Sequence, residues 1–324
     1  MLIDDMIEAI KGSKKILITS HVDPDGDAIS SSLAMYNTLL NHYSEKEVYV
    51  CLDDVAENFN YLKSFNDIVS LDQLKEKTKL NFDLMIVLDL PDPDRLGKRK
   101  DLLEKADEVM VIDHHERNRM FGDYNLVDPT EPSTTQIVYS FLTGVELDIS
   151  KDVMECILTG IITDTGGFRF PAVNEDTFYI ASVAKKMNID ITKIFDRAIF
   201  SKTKTQFEIE RLAISRIKLY LDDKVAITYL TNDDDIYVKR KPGDTEAIVN
   251  ISKNIEGIGI SAFLRQVEGG YKVSLRGNNV AVDDVAEHFD GGGHKYAAGC
   301  TIDTDTVEEA IEMLLKEIEK KKMQ

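Results

Sequence analysis

Short apolar runs alternate with amphipathic stretches along the first half of the chain, and their spacing defines a series of strand, turn and helix units. Lys15 to Thr19 reads as a strand that runs into the polar turn Ser20-His-Val-Asp-Pro-Asp-Gly-Asp27. A helix follows at once, with Ile29, Leu33, Tyr36 and Leu40 recurring at the spacing of an amphipathic face. Val48 to Leu52 gives a second strand and Asp83 to Leu88 a third, closed by Asp89, Pro91 and Pro93. After a polar, helix-like stretch from Arg99 to Asp107 comes Glu108-Val-Met-Val-Ile-Asp-His-His115. Its apolar centre is too short for a typical helix and suits a strand of a parallel sheet covered on both faces.

Downstream, Ser133 is placed to cap a helix through Ile137, Val138, Phe141 and Leu142. A second apolar helix, Asp152 to Ile162, ends in Thr163-Asp-Thr-Gly-Gly-Phe168, whose glycines leave Asp164 at a helix end. A third runs from Asn174 to Met187, after which apolar density falls until about Ser215. From Ile217 the pattern changes to strand runs at Lys224 to Leu230, Ile258 to Val267 and Tyr271 to Leu275. A final helix from Thr306 to Lys322 starts on the capping-box pattern Thr306-Val-Glu-Glu309 and would bury Val307, Ile311, Leu314, Leu315 and Ile318. The expected fold is α/β: an N-terminal domain (1–188) with a mainly parallel sheet flanked by helices, a connector (189–215), and a smaller C-terminal α+β domain (216–324).

Composition narrows the function. At 324 residues the chain is long enough for two cores, and 39 basic against 58 acidic residues give a formal charge of −19. Such a surface repels extended polyanions, and no basic stripe stands out, which argues against a protein that tracks long duplex nucleic acid. Cys51, Cys156 and Cys300 are far apart and form no CxxC pair, as expected in a reducing compartment. The first residues carry acid where a signal peptide needs base, and no apolar run approaches the roughly 20 residues of a membrane span. The expected location is the cytoplasm, away from membranes.

The chemistry lies at the ends of the apolar runs. His21, Asp25, Asp27, Asp89, His114 and Asp164 offer two imidazoles and four carboxylates. Without metal those carboxylates would repel and raise one another's pKa values. Two divalent ions sharing one carboxylate would remove the strain, and ligation by nitrogen and oxygen without thiolate fits manganese well, with iron, cobalt or zinc as alternatives. Asp113 is expected to orient the adjacent ligand His114 from behind. Phosphate-loop, GxSxG and HExxH motifs are absent from the sequence, so phosphoryl chemistry would depend on metal.

These residues, His21-x3-Asp25-x-Asp27, Asp89, Asp113-His-His115 and Asp164, with Gly291-Gly-Gly-His294 far downstream, resemble the DHH phosphoesterase family over almost the whole chain. One such domain joined to a DHH-associated C-terminal domain resembles the nanoRNase branch. The resemblance implies that His21, Asp25 and Asp89 hold one metal and that Asp27, Asp89, His114 and Asp164 hold the other. It implies that His115 faces the substrate, binding a phosphate oxygen or protonating the leaving group, with Asp23 as a support for a ligand, a helper at the water or a plain turn former. Gly292, Gly293 and His294, with Arg276, would hold the far end of the substrate in a cleft between the domains. Small residues after His294 were consistent with close helix packing, and Gly277 stands where the family commonly has serine. The bland readings are a plain loop for the glycines and a surface role for Arg276.

The activity so implied is removal of mononucleotides from very short oligonucleotides, with phosphatase action on 3′-phosphoadenosine 5′-phosphate. Hydrolysis of cyclic di-AMP or pApA is the nearest alternative, and a nucleotide sensor that binds without cleaving is the alternative from another class. The last helix could serve a homodimer or its own domain equally.

Overall fold

The computed structural model describes residues 2–240, 244–245 and 248–322. The chain divides into two compact units, Met1–Ser201 and Lys202–Gln324.

The first unit begins with α1 (Leu2–Gly12), β1 (Lys15–Thr19), α2 (Gly26–His42) and β2 (Glu47–Cys51). Next come α3 (Leu71–Lys77), β3 (Phe82–Leu88), β4 (Ala106–Asp113) and β5 (Tyr124–Val127). Four helices close the unit: α4 (Thr134–Gly144), α5 (Lys151–Asp164), α6 (Glu175–Lys186) and the short α7 (Ile191–Ile194). The five strands lie in the order β2-β1-β3-β4-β5 and all pairs are parallel. The continuous apolar runs follow from burial on both faces. Ile16, Ile18, Leu84, Ile86, Met110 and Ile112 pack into one core with α2, α4 and α5, while Leu17, Met85, Val87, Val109 and Val111 pack into another.

Helix α2 is buried almost all round from Gly26 to Leu39, so the narrow stripe expected for it understates its burial. Leu40, assigned to that stripe, is 37% exposed, and Leu39 faces the core instead. The stretch read as a polar helix is a run of 3-10 turns, Pro93–Lys105, broken at Gly97 (φ 57°). Elements α1, α3 and β5 were not among the expected elements, although Ile3, Met6, Ile7 and Ile10 give α1 an amphipathic pattern. The span expected to be a connector carries α7, a π-helical turn at Phe195–Phe200 and α8 (Lys204–Ser215).

The second unit continues with β6 (Lys218–Tyr220), β7 (Val225–Leu230), α9 (Asn232–Val238), α10 (Ile248–Lys253), β8 (Ile260–Val267) and β9 (Gly270–Gly277). It ends with α11 (Asp283–Glu287), β10 (Gly292–His294), β11 (Ala297–Ile302) and α12 (Val307–Lys322). Its mixed sheet has the order β10-β11-β9-β8-β7-β6, with only β7 and β8 parallel. Helix α12 packs on its own unit through Val307, Ala310, Leu314 and Ile318, while Ile311 and Leu315 are partly buried. Thr306 accepts from the Glu309 backbone, but the Glu309 carboxylate takes the Thr304 hydroxyl, so the capping box is half formed. Among the described residues no helix is long and apolar enough to cross a membrane.

Candidate metal centre

Parallel pairing puts the carboxyl ends of β1, β3 and β4 on one edge, and the register keeps them level: Thr19 pairs with Val87, and Leu88 with Ile112. The order 2-1-3-4-5 reverses direction between β1 and β3, the switch point at which open α/β sheets bind ligands. His21 lies just beyond β1, Asp89 directly beyond β3 and His114 directly beyond β4. Asp89 has a left-handed backbone (φ 55°), a conformation uncommon outside glycine and tolerated by aspartate. Its N–H donates to the Ile112 carbonyl at 3.0 Å. Asp25 caps α2, accepting from the Asp27 and Ala28 N–H groups at 3.0 Å. Asp164 is the last residue of α5, which Gly166 and Gly167 terminate with positive φ.

The ligand atoms of His21, Asp25 and Asp89 lie within 4.8 Å of one another, as do those of Asp27, His114 and Asp164. His21 Nε2 is 3.7 Å from Asp89 Oδ2 and 4.0 Å from Asp25 Oδ2. His114 Nε2 is 3.6 Å from Asp89 Oδ1 and 3.4 Å from Asp164 Oδ2. These separations exceed a hydrogen bond. They match ligand atoms spaced about 3–4 Å apart around a cation with bonds near 2.1 Å. The two oxygens of Asp89 face different groups, as a bridging carboxylate must.

Backbone carbonyls set the histidine tautomers. Nδ1 of His21 lies 2.7 Å from the Val22 carbonyl, and Nδ1 of His114 lies 3.3 Å from the Glu131 carbonyl. A carbonyl only accepts, so each Nδ1 carries the proton and each Nε2 keeps its lone pair for a metal. Asp113, expected behind His114, bonds His115 instead: Asp113 Oδ1 accepts from Nδ1 at 2.7 Å. His115 also groups with Asp89 and His114, but through this same Nδ1, 3.7 Å from Asp89. A protonated nitrogen held by Asp113 has no lone pair to give, which leaves Nε2 of His115 as its working atom.

Electrostatics mark the site as built for positive charge. Burial first, and the charges of Asp89 and Asp25 next, push Asp164 up to about 8. Asp25 and Asp27 are raised by burial and by the Asp89 charge. Asp89 is held down at about 2: burial opposes the shift, but the imidazoles of His21, His114 and His115 around it outweigh that effect through their charge. His21 and His115 are raised against the effect of burial, by Asp89 and by Asp113 respectively.

Supporting residues escaped the sequence reading. The N-terminus of α4 seats Asp27: Thr134 and Thr135 N–H donate to its two oxygens at 2.7 and 3.1 Å, and the Thr135 hydroxyl adds a bond of 2.7 Å. The Thr134 hydroxyl donates to Asp89 at 3.0 Å. Arg99, wholly buried, holds the carbonyls of Ser20 and His21 at 2.9 and 3.0 Å and pairs with Asp53 at 3.3 Å, fixing the turn that carries His21. The Ser133 cap was a local signal for the α4 terminus; the length and polarity of Pro93–Lys105 hid Arg99.

Asp23 stands in the same turn as Asp25, exposed and left-handed (φ 51°), and belongs to none of the three groups. In the second unit, Gly292, Gly293 and His294 form strand β10 rather than a loop. The small residues after them form strand β11, so their close packing is between strands and not against a helix as expected. A Cβ on Gly293 would lie 2.6 Å from the Ala297 carbonyl oxygen, and one on Gly277 would lie 1.8 Å from that of Val280. Close backbone approach thus accounts for glycine at 277. His294 and Arg276 both pair with Ala297, one from each side, so they share a sheet face across a small residue.

Residues 15–161 match the DHH family N-terminal domain and residues 213–321 match the DHHA1 domain. The chain belongs to the DHH family, with an N-terminal DHH unit and a C-terminal DHHA1 unit. It is 29% identical to the bifunctional oligoribonuclease and PAP phosphatase NrnA of Thermus thermophilus, over 98% of this chain and 92% of that one. The NrnA of Bacillus subtilis, with the same description, is 25% identical over 97% of this chain and 99% of its own. A crystal structure of an exopolyphosphatase-related protein from Bacteroides fragilis superposes with a TM-score of 0.88 at 30% identity, covering 98% and 95% of the two chains.

Proposed function

We propose that this protein is a phosphodiesterase using two divalent metal ions, manganese by preference, to hydrolyse very short oligonucleotides to mononucleotides and to dephosphorylate 3′-phosphoadenosine 5′-phosphate. The observation that carries the reading is Asp89, whose Oδ2 faces His21 at 3.7 Å while its Oδ1 faces His114 at 3.6 Å. His21, Asp25 and Asp89 would hold one ion, and Asp27, Asp89, His114 and Asp164 the other. Four carboxylates balance two dications, so the loaded site accepts an anionic substrate without excess repulsion. Such ions, when bound, stabilise charge on a phosphoryl group and acidify the attacking water.

The chain's own residues do the rest. His115, with Nδ1 tied to Asp113, directs Nε2 to the substrate and donates a proton to the leaving oxygen. Asp23, in the exposed turn, assists at the water. Arg276, His294 and the Gly292-Gly293 backbone are the nucleotide-binding residues of the second unit, Arg276 through its unchanging charge. The net charge of −19 favours short substrates over long ones. The similarity to two NrnA proteins supports this reading over cyclic di-AMP as the preferred substrate; pApA, itself a linear dinucleotide, falls within the proposed class. Three buried thiols suit a reducing cytoplasm.

Purified protein with manganese should be assayed against dinucleotides, cyclic di-AMP, pApA, 3′-phosphoadenosine 5′-phosphate and pyrophosphate. Dinucleotides and phosphoadenosine phosphate should be turned over fastest. Turnover confined to cyclic di-AMP or pyrophosphate would overturn the assignment, and tight nucleotide binding without product would make the protein a sensor.

A further inference from the structure

Nothing in the metal centre itself explains what holds the Asp113 carboxylate in the plane that serves His115. Asp113 is wholly buried, and one of its oxygens receives His115 Nδ1–H at 2.7 Å. Its other oxygen receives the side-chain amide of Asn118, also at 2.7 Å. That amide nitrogen donates as well to the carbonyl of Leu90, the residue after Asp89, at 3.2 Å, while Asn118 Oδ1 accepts from Met120 N–H at 2.7 Å. The surroundings fix the amide's orientation: the Leu90 carbonyl only accepts and the Met120 N–H only donates. The Arg119 N–H, bonded to the Pro91 carbonyl at 2.9 Å, ties the same loop to the end of β3.

The orientation matters because two carboxylates compete for one nitrogen. His115 Nδ1 lies 2.7 Å from Asp113 but only 3.7 Å from Asp89 Oδ1. The His115 side chain is 35% exposed, and its other close ring neighbour is His114, edge-on at 4.8 Å. A carboxylate held through one oxygen can rotate; a donor on the second oxygen fixes its plane. Losing that donor frees Asp113 to turn and His115 to tilt with it, which withdraws Nε2 from the leaving oxygen.

We propose that Asn118 is a positioning residue for His115, acting through Asp113. This rests on the reading of His115 as proton donor to the leaving group. The test compares kcat and KM of the manganese-loaded enzyme on a dinucleotide and on the p-nitrophenyl ester of thymidine 5′-monophosphate, whose leaving group departs without a proton. Asn118→Ala removes the donor to Asp113; Asn118→Leu, of similar volume and with no polar atom, serves if the alanine variant does not fold. Either should lower kcat on the dinucleotide about 10- to 100-fold, with KM and manganese content unchanged. Both should remain near wild type on the p-nitrophenyl ester. Wild-type kcat on the dinucleotide, or an equal loss on both substrates, would overturn the role of Asn118. His115→Ala is run in parallel: if it too loses equally on both substrates, the proton-donor reading itself falls, whereas a leaving-group dependence in His115→Ala but not in the Asn118 variants defeats the Asn118 inference alone.

Discussion

At the scale of single residues, Asp89 and the two histidines after β4 carry separable duties. Asp89 turns through a left-handed backbone to set one oxygen against each candidate metal group. His114 offers Nε2 to the group with Asp27 and Asp164, whereas the Nδ1 of His115 is spent on Asp113. His114→Ala should therefore weaken one of the metal sites in a manganese titration. His115→Ala should leave both sites intact and lower kcat by about 10²- to 10⁴-fold, the usual contribution of a general acid. Loss of manganese from His115→Ala would show that it is a ligand. That these acidic and histidine residues gather at one sheet edge was legible in the sequence because each ends an apolar run or opens a helix. The partner of Asp113 was misread, although a physical rule was available: residues i and i+2 of an extended chain share a side, so Asp113 and His115 meet while His114 points away.

Helix α4 and the crossing of α2 with α5 act as elements rather than as residues. The first turn of α4 brings two backbone N–H groups and a hydroxyl to Asp27, a use of the unsatisfied donors and the positive end of the helix. Asp27 is seated only because α5 has a glycine opposite: a Cβ on Gly160 would meet Thr135 at 2.4 Å and Asp27 Oδ1 at 2.7 Å. Gly160→Ala should cost about 1–3 kcal/mol in urea unfolding, as overpacking does, and should weaken manganese binding. Gly144→Ala is the control, since a Cβ there meets nothing within 4 Å, and it should be neutral or slightly stabilising. Equal stability of the two variants would contradict the packing argument. The Ser133 cap was readable, but its target was not: Asp27 and Thr134 are 107 positions apart, and only the tertiary fold joins them. The glycines at 291–293 misled for a different reason, because glycine normally weakens a strand, yet here the neighbouring strand approaches too closely for a side chain at Gly291 or Gly293.

For the whole molecule, the parallel sheet was legible from uninterrupted apolar strands, and the second unit from the return of strand runs after Ile217. Elements α1, α3 and β5 were not read: α3 and β5 are short, whereas α1 does carry an amphipathic pattern, with Ile3, Met6, Ile7 and Ile10 on the side that packs on the core. The charge pattern of the site gives a pH prediction. The folded, metal-free chain keeps the Asp164 proton up to about pH 8, while an unfolded chain releases it near 3.8. The folded state then binds more protons, so this group makes stability fall as pH rises between those values. The raised Asp25 and Asp27 act in the same direction, as do His21 and His115, whose favourable charge is lost as pH rises through their folded values. Asp89, held at about 2, acts oppositely, but only below its unfolded value of 3.8. Metal displaces the carboxyl protons, so the rise in Tm on adding manganese should be larger at pH 8 than at pH 6. A smaller rise at pH 8 would contradict the proton inventory of the site.

The central claim is that Asp89 joins two metal sites at the ends of β1, β3 and β4. Equilibrium dialysis against manganese, comparing the wild type with Asp89→Ala and following dinucleotide hydrolysis in the same samples, tests it most directly. The wild type should bind about two ions per chain and release mononucleotides. Asp89→Ala should keep its fold and lose both tight manganese binding and turnover; an Asp89→Ala protein that binds two ions and cleaves at the normal rate would contradict the account.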